Sequence, residues 1–213
     1  AISFSELNDN LFEVGVHIAD VSYFVKEDTE LDREAKSRAT SVYLVDRVIP
    51  MLPETLSNNL CSLRPNEDKL TFSAIFKLNK KGEIKEEWFG KTVIKSNERL
   101  SYQEAKHLID SGSTKIPKEV SLDNKEKKVE ENLTKALSVI NEIAQTIRKK
   151  RISTGAIIFD KTEIKFELDE NKHPIEISFK KAENANKLIE ELMLLANKRV
   201  AERVEKRSEE RRV

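Results

Sequence analysis

The sequence predicts an α+β domain in which a mixed, largely antiparallel sheet packs against helices. Apolar residues alternate with period two in several short segments, and they recur with the helical period of 3.6 in several longer ones. Most neighbouring strand segments are also joined by short connections, which favours hairpins over a doubly wound parallel sheet. The 213 residues suffice for one large domain or two small ones, and no internal repeat or domain boundary is visible.

The N-terminal third predicts a strand, a helix and a long connection. LFEVGVHIADVSYFV has the alternation of a half-buried strand. Its apolar face comprises Phe12, Val14, Val16 and Ile18. DTELDREAKSRATSVYL changes to helical spacing, with Asp28 or Thr29 placed to cap the helix. VDRVIPMLPETLSNNLCSLRP contains Pro50 and Pro53 and predicts an irregular but structured connection, because proline donates no ladder hydrogen bond.

The middle of the chain predicts a hairpin followed by two helices. LTFSAIFKLNKKGEIKEEWFGKTVIKS indicates two strands around a Lys-Gly turn. LSYQEAKHLIDSG indicates a short helix in which Ser101 and Glu104 have capping-box spacing and Gly112 is the stop. A longer amphipathic pattern runs from Leu122 to Arg151.

The C-terminal third predicts two more strands and a last helix. GAIIFDKTEIKFELDENKHPIEISFKK has two alternating stretches, with DENKHP as the turn between them. The last helix is predicted from about Glu183 to the end of the chain. Its apolar face comprises Leu188, Ile189, Leu192, Leu195, Ala196 and Val200.

Composition indicates a soluble protein with a heavily charged surface. The sequence contains no apolar run long enough for a membrane span and no signal-peptide pattern, so no membrane partner is expected. A single cysteine, Cys61, excludes an internal disulfide and fits a reducing compartment, which predicts a cytoplasmic location. The formal net charge is zero, but the distribution of charge matters more than the total for nucleic-acid binding.

Common cofactor and metal motifs are missing from the sequence. There is no P-loop or dinucleotide glycine fingerprint, so no nucleotide cofactor is expected. The three histidines lie far apart, and His17 is interpreted as a surface or hydrogen-bonded core residue. Asp20 and Asp46 could hold a hard cation such as Mg²⁺ if the fold brought them together, but loop aspartates more often cap turns.

Three aromatic residues and one basic run allow a second interpretation. Tyr43, Tyr102 and Phe159 lie at the ends of predicted elements, where aromatic rings can stack on nucleobases or simply complete the core. The run RKKR, residues 148–151, either offsets the dipole at a helix C-terminus or forms an RNA-binding patch. The residues alone favour the structural interpretation in each case.

Four longer stretches resemble one enzyme family. They are VGVHIADVSYFV, IPMLPETLSNNLCSL, WFGKTVIKSNERLSYQEA and LIEELMLLAN, in this order. Together they resemble the catalytic (RNB) domain of the ribonuclease II and ribonuclease R family, nearest to its ribonuclease R branch, over essentially the whole chain. The resemblance implies a Mg²⁺-dependent hydrolytic exonuclease that degrades single-stranded RNA processively from the 3′ end to nucleoside 5′-monophosphates. Flanking cold-shock-like and S1 domains, typical of the family, are absent from these residues.

The resemblance also implies roles for four residues. Tyr43 matches the tyrosine that packs on the last nucleotide and sets the product length. Phe159 matches the aromatic residue that completes the stack on the terminal bases. Tyr102 and Glu190 match positions that contact the RNA further along the channel.

The family's catalytic residues are not expected in this chain. Its metal-holding aspartates form a motif that would end just before Ala1, and its catalytic arginine would lie beyond Val213. We therefore expect the central part of an RNB domain, truncated at both ends, with no catalytic residue and no metal ligand, and inactive in isolation. The alternatives are a non-catalytic RNA-binding protein that retains the channel and an α+β domain used for protein contacts.

Overall fold

A four-stranded antiparallel sheet organises the computed structural model, which describes residues 1–8, 10–157, 162–170, 173–181 and 184–210. The order in the sheet is β1-β2-β5-β6. These strands are β1 (Ile2–Asn8), β2 (Leu11–Ala19), β5 (Asp68–Leu78) and β6 (Ile84–Lys95). The remaining strands form three two-stranded ribbons: β3 (Val42–Tyr43) with β4 (Val48–Ile49), β7 (Lys115–Ile116) with β8 (Lys127–Lys128), and β9 (Thr162–Leu168) with β10 (Pro174–Lys181). The predicted α+β class is confirmed.

Five α-helices accompany the strands in the described part of the chain. They are α1 (Val21–Phe24), α2 (Glu30–Arg38), α3 (Tyr102–Ser111), α4 (Glu131–Ser153) and α5 (Asn184–Glu210). A π-helical turn covers Thr55–Leu60. None of the described helices combines the length and the apolar composition needed to cross a membrane.

The main core lies between the sheet and the two long helices α4 and α5. Antiparallel pairing places Val14 opposite Phe76 and Val16 opposite Ala74, so the apolar residues of β2 and β5 share one face. The buried cluster on this face comprises Phe12, Val14, Val16, Ala74, Phe76, Leu78, Ile140, Ile143, Ala144, Leu188, Leu192 and Ala196. The helical period of α4 and α5 supplies the other half of the core.

The opposite face of the sheet carries a polar network around His17. Its imidazole Nδ1 lies 2.7 Å from Ser73 Oγ and its Nε2 lies 2.9 Å from Ser3 Oγ. Gly15 leaves room for this pairing, because a Cβ there would lie 2.6 Å from His17 Nε2. The interpretation of His17 as a hydrogen-bonded core residue is confirmed, but the prediction that β2 is half-buried is wrong. As an inner strand of the sheet, β2 is buried on both faces from Val14 to His17.

Two element boundaries differ from the prediction. β2 ends at Ala19 and the next residues form α1, because the Asp20 carboxylate accepts a hydrogen bond from Ser22 Oγ and its carbonyl accepts one from Tyr23 N. α4 begins at Glu131 rather than Leu122. The preceding residues pair as β7 and β8 instead, and they bury Val129 in a second small cluster with Leu108 and Ile116.

The predicted caps of α2 and α3 and the turn at Gly82 are confirmed, whereas the predicted DENKHP turn lies partly outside the described residues. Thr29 accepts a hydrogen bond from Asp32 N at the start of α2. Ser101 and Glu104 form the reciprocal capping box of α3, and Gly112 ends that helix in the left-handed region at φ 63°. Gly82, at φ 70°, makes the turn between β5 and β6. The described residues of the predicted β9–β10 hairpin also pair antiparallel.

Candidate nucleic-acid interface

Tyr43 lies on a short, exposed hairpin formed by β3 and β4. It pairs with Val48, and Leu44 N donates to Arg47 O at 2.8 Å to close the turn. The Tyr43 side chain is exposed to 79%. Its neighbours on the hairpin are also exposed, and they are Val42, Leu44, Val45, Val48 and Ile49. Most exposed apolar residues are isolated, whereas a contiguous group of this kind marks a binding surface.

Contacts at the base of the hairpin hold it in place. Arg38 Nη1, at the end of α2, donates to Pro50 O at 3.3 Å, and Met51 N donates to Ser41 Oγ at 2.9 Å. The hairpin therefore follows directly from α2, and its base is tied by two hydrogen bonds. Tyr43 can present its ring without first ordering the backbone beneath it.

Tyr102 is the first residue of α3, and its ring is exposed to 45%. The backbone at this position is held by the buried Glu104 carboxylate, which accepts from Ser101 N at 2.7 Å and from Leu122 N at 3.3 Å. Burial acts to raise the pKa of Glu104, but the hydrogen bonds from Ser101 and Leu122 and the charge of Lys127 together outweigh it, and the pKa lies below its ordinary value. Glu104 therefore stays ionised and keeps the helix start rigid.

Glu190 lies on α5, a helix that contacts α3. Its side chain is 50% exposed, with oxygens 3.6 Å from Arg148 Nη1 and 3.8 Å from Arg151 Nη2. These are loose ion pairs at an exposed position, so the carboxylate can also contact another molecule. The described residues place Tyr102 and Glu190 on two packed helices and Tyr43 on a separate hairpin.

The adjacent Glu191 has a structural role that the sequence did not indicate. Its side chain is only 1% exposed, and it accepts from Arg148 Nη1 at 3.0 Å and from Arg151 Nη2 at 2.6 Å. Arg151 Nε adds a second bond at 3.1 Å, and these contacts raise the pKa of the Arg151 guanidinium. The run RKKR is thus a helix end that clamps α4 to α5. Arg148 and Arg151 are three residues apart, so they lie on one face of α4. This spacing was the signal in the sequence that the two arginines could share a partner.

Phe159, the remaining predicted RNA contact, lies outside the described residues. α4 ends at Ser153, and the described chain continues to Ile157, whose side chain is exposed. The stacking role of Phe159 stays a prediction.

Neither aspartate considered as a Mg²⁺ ligand has a free carboxylate in a suitable cluster. A hydrogen bond from Ser22 Oγ, with an ion pair to Lys91 Nζ at 3.1 Å, holds the pKa of the buried Asp20 below its ordinary value. Asp46 forms an ion pair with Arg47 at 3.5 Å. Within the described ranges, no group of three or more His, Cys, Asp or Glu residues could hold a metal ion. These residues do not fit a magnesium site.

The family model of the RNB domain matches residues 1–211, and the chain belongs to the RNB domain family. The resemblance to the RNB domain seen in the sequence is therefore confirmed. "DIS3-like exonuclease 2" of Schizosaccharomyces pombe is 46% identical over 209 residues, which cover 97% of this chain and 22% of that protein. "Inactive exonuclease DIS3L2" of Arabidopsis thaliana is 41% identical over 204 residues, which cover 95% of this chain and 19% of that protein.

The fold also matches a solved RNB structure. "Mycoplasma genitalium RNase R in complex with ribose methylated single-stranded RNA" superposes with a TM-score of 0.84 at 30% identity, over 97% of this chain and 30% of that one. The chain thus spans about a fifth of the length of these sequence relatives and under a third of the structural one.

Proposed function

We propose that this chain is the RNA-binding part of the RNB domain of a hydrolytic exoribonuclease. The intact protein would degrade single-stranded RNA processively from the 3′ end and release nucleoside 5′-monophosphates. The observation that carries this proposal is the exposed Tyr43 on its tied hairpin, within a chain that belongs to the RNB domain family. The names of its relatives and the single-stranded RNA in a structural match support the substrate class.

Aromatic stacking suits an exonuclease that accepts any sequence. Every base has a π-face, so stacking binds successive bases without hydrogen bonds to their edges. Tyr43 would pack on the last nucleotide, with Phe159 as its partner in the stack. Tyr102 and Glu190 would contact the RNA further along the channel. Holding the terminal bases fixes the distance from the scissile phosphate to the catalytic groups, which supplies much of the rate enhancement by positioning.

The metal chemistry would come from other parts of the intact protein. In line with the resemblance to the RNB family, we propose that Mg²⁺ is held by aspartates outside these 213 residues; the described residues do not fit a magnesium site. The isolated chain is then expected to bind RNA without cleaving it. We also propose a cytoplasmic location, where single-stranded RNA is the partner.

The test is a Tyr43→Ala substitution read in two ways. In the 213-residue chain it should weaken binding of a fluorescent single-stranded RNA by about 1–3 kcal/mol, the usual contribution of one stacked base. In the intact protein it should lengthen the smallest undegraded product. Tyr23→Ala is the matched control, because Tyr23 is also an exposed tyrosine, at 53%, and has no proposed RNA role. An unchanged product length together with unchanged affinity would refute the role of Tyr43.

A second candidate is an RNA-binding protein that has lost its catalytic activity. An Arabidopsis relative at 41% identity is named inactive, so close similarity over this region is compatible with loss of activity. Incubating the intact protein with single-stranded RNA and Mg²⁺ separates the two functions. Release of monophosphates supports the exonuclease, whereas binding without degradation supports the second candidate.

A further inference from the structure

A cationic groove lies between the end of α4 and the start of α5. Its volume is about 260 Å³. One wall is formed by residues of α4 that share a helical face, and the other by residues of α5 with the same spacing. The polar and charged residues used below are Gln145, Arg148, Lys149, Asn184, Lys187 and Glu191. Three of these six are cations, two are neutral amides and one is an acid.

The single carboxylate of the groove is already neutralised. Glu191 is buried and is bound by both Arg148 and Arg151. These contacts also fix the orientation of Arg148, whose side chain is only 17% exposed. A guanidinium has five N–H donors, and Arg148 uses one of them in its hydrogen bond to Glu191. The groove therefore keeps a preorganised donor in its wall.

The two lysines of the groove are not neutralised within the described part of the chain. Lys149 on α4 is exposed and Lys187 on α5 is partly buried, and no acidic residue lies within ion-pair distance of either among the described residues. The first turn of α5 contains no acidic residue. Because the chain as a whole has no net charge, this is a local excess of positive charge.

We infer that this groove binds a phosphodiester of the RNA backbone. The inference rests on the proposed function and deepens it by naming a backbone contact. Arg148, which lines the groove, lies 3.6 Å from Glu190, so the groove adjoins one of the predicted RNA contacts. Lysine and arginine bind phosphate oxygens through charge-assisted hydrogen bonds, and the amides of Gln145 and Asn184 can donate further ones. Sequence-tolerant binding needs such backbone contacts beside its stacking residues.

The test is the salt dependence of RNA binding by the 213-residue chain. Affinity for single-stranded RNA is measured over a range of salt concentrations for the wild type and for the Lys149→Gln/Lys187→Gln double variant. Each lysine that no longer binds a phosphate should reduce the slope of log affinity against log salt by about 0.7, and the two together by up to about 1.4. Lys81→Gln/Lys85→Gln, with Lys81 on the turn between β5 and β6 and Lys85 at the start of β6, is the control for the change in charge and should leave the slope within error of the wild type.

The possible outcomes separate this inference from the proposed function. If the wild type binds RNA and both double variants have its slope, or lower it equally, the groove is not a backbone site, but the proposed function stands. If the wild type does not bind RNA, the proposed function of this chain fails together with the inference. The last measurement is the displacement of bound RNA by inorganic phosphate at constant ionic strength. Displacement of the RNA from the wild type but not from the double variant would show that free phosphate and the RNA backbone compete for the groove, which supports the inference, whereas equal displacement from both would contradict it.

Discussion

The central strands β2 and β5 and the β3–β4 hairpin are built from the same kinds of residues, but their surroundings differ. Val14 and Phe76 pair across the sheet and are fully buried under α4 and α5. Val42 and Tyr43 pair with Ile49 and Val48 in the same antiparallel way, yet all four side chains are exposed. Apolar residues in the sheet stabilise the fold, whereas those of the hairpin add little stability and are available to a ligand.

The largest effect on stability is expected from truncating the buried pair. Phe76→Ala should lower the free energy of unfolding by about 3–5 kcal/mol, because it removes a large core side chain and leaves a cavity. Tyr43→Ala should change it by less than about 0.5 kcal/mol, since the ring is mostly exposed. Urea unfolding monitored by circular dichroism measures both. A loss of several kcal/mol in Tyr43→Ala would mean that the hairpin belongs to the core.

A smaller effect is expected at the clamp between α4 and α5. Glu191→Gln should lower the free energy of unfolding by about 1–3 kcal/mol, because it leaves two partly buried arginines without their main partner. The adjacent Glu190→Gln is the matched control and should cost at most about 1 kcal/mol, since its ion pairs are long and exposed. Equal losses in the two variants would contradict the distinction between a structural Glu191 and an exposed Glu190.

The smallest effect on stability is expected from a change in pH, because His17 becomes protonated as the pH falls. Burial lowers the pKa of His17 below its ordinary value of 6.5. The unfolded chain therefore binds more protons than the folded one as pH falls through 6.5. Stability should be complete above this pH and decline below it, until the folded-state pKa is reached.

His17→Gln should flatten this decline, whereas His173→Gln, at a largely exposed position, serves as the control. The measurement is the urea midpoint between pH 8 and pH 5, a range that includes the ordinary pKa of histidine. The hairpin has no histidine and should add nothing to this dependence. The same slope in wild type and His17→Gln would contradict the buried neutral imidazole.

Local sequence signals were sufficient for much of the fold. The capping box of Ser101 and Glu104 and the turn at Gly82 act over a few residues, so they can be recognised directly from the sequence. The start of α4 could not be predicted, because the apolar pattern continues through Val129. That residue packs in the second cluster beside Leu108 instead of starting the helix.

The candidate site was likewise predictable from the sequence only in part. Resemblance in sequence indicated Tyr43, Tyr102, Phe159 and Glu190, and these roles remain predictions. The exposure of Tyr43, the burial of Glu191 and the groove beside Arg148 were not foreseen. Each of them depends on the approach of α4 to α5 or on what the sheet leaves uncovered.

Period and spacing along the chain were enough to predict the α+β class and most turns and caps, because these features depend on residues close in sequence. The RNB family was indicated separately, by the resemblance of four longer stretches. Tertiary packing decided which of two adjacent glutamates is buried and left the apolar β3–β4 hairpin exposed. Identical residue types acquire different roles when contacts such as Arg148–Glu191, 43 residues apart in the chain, either cover or expose them. Such long-range contacts have no local signature in the sequence.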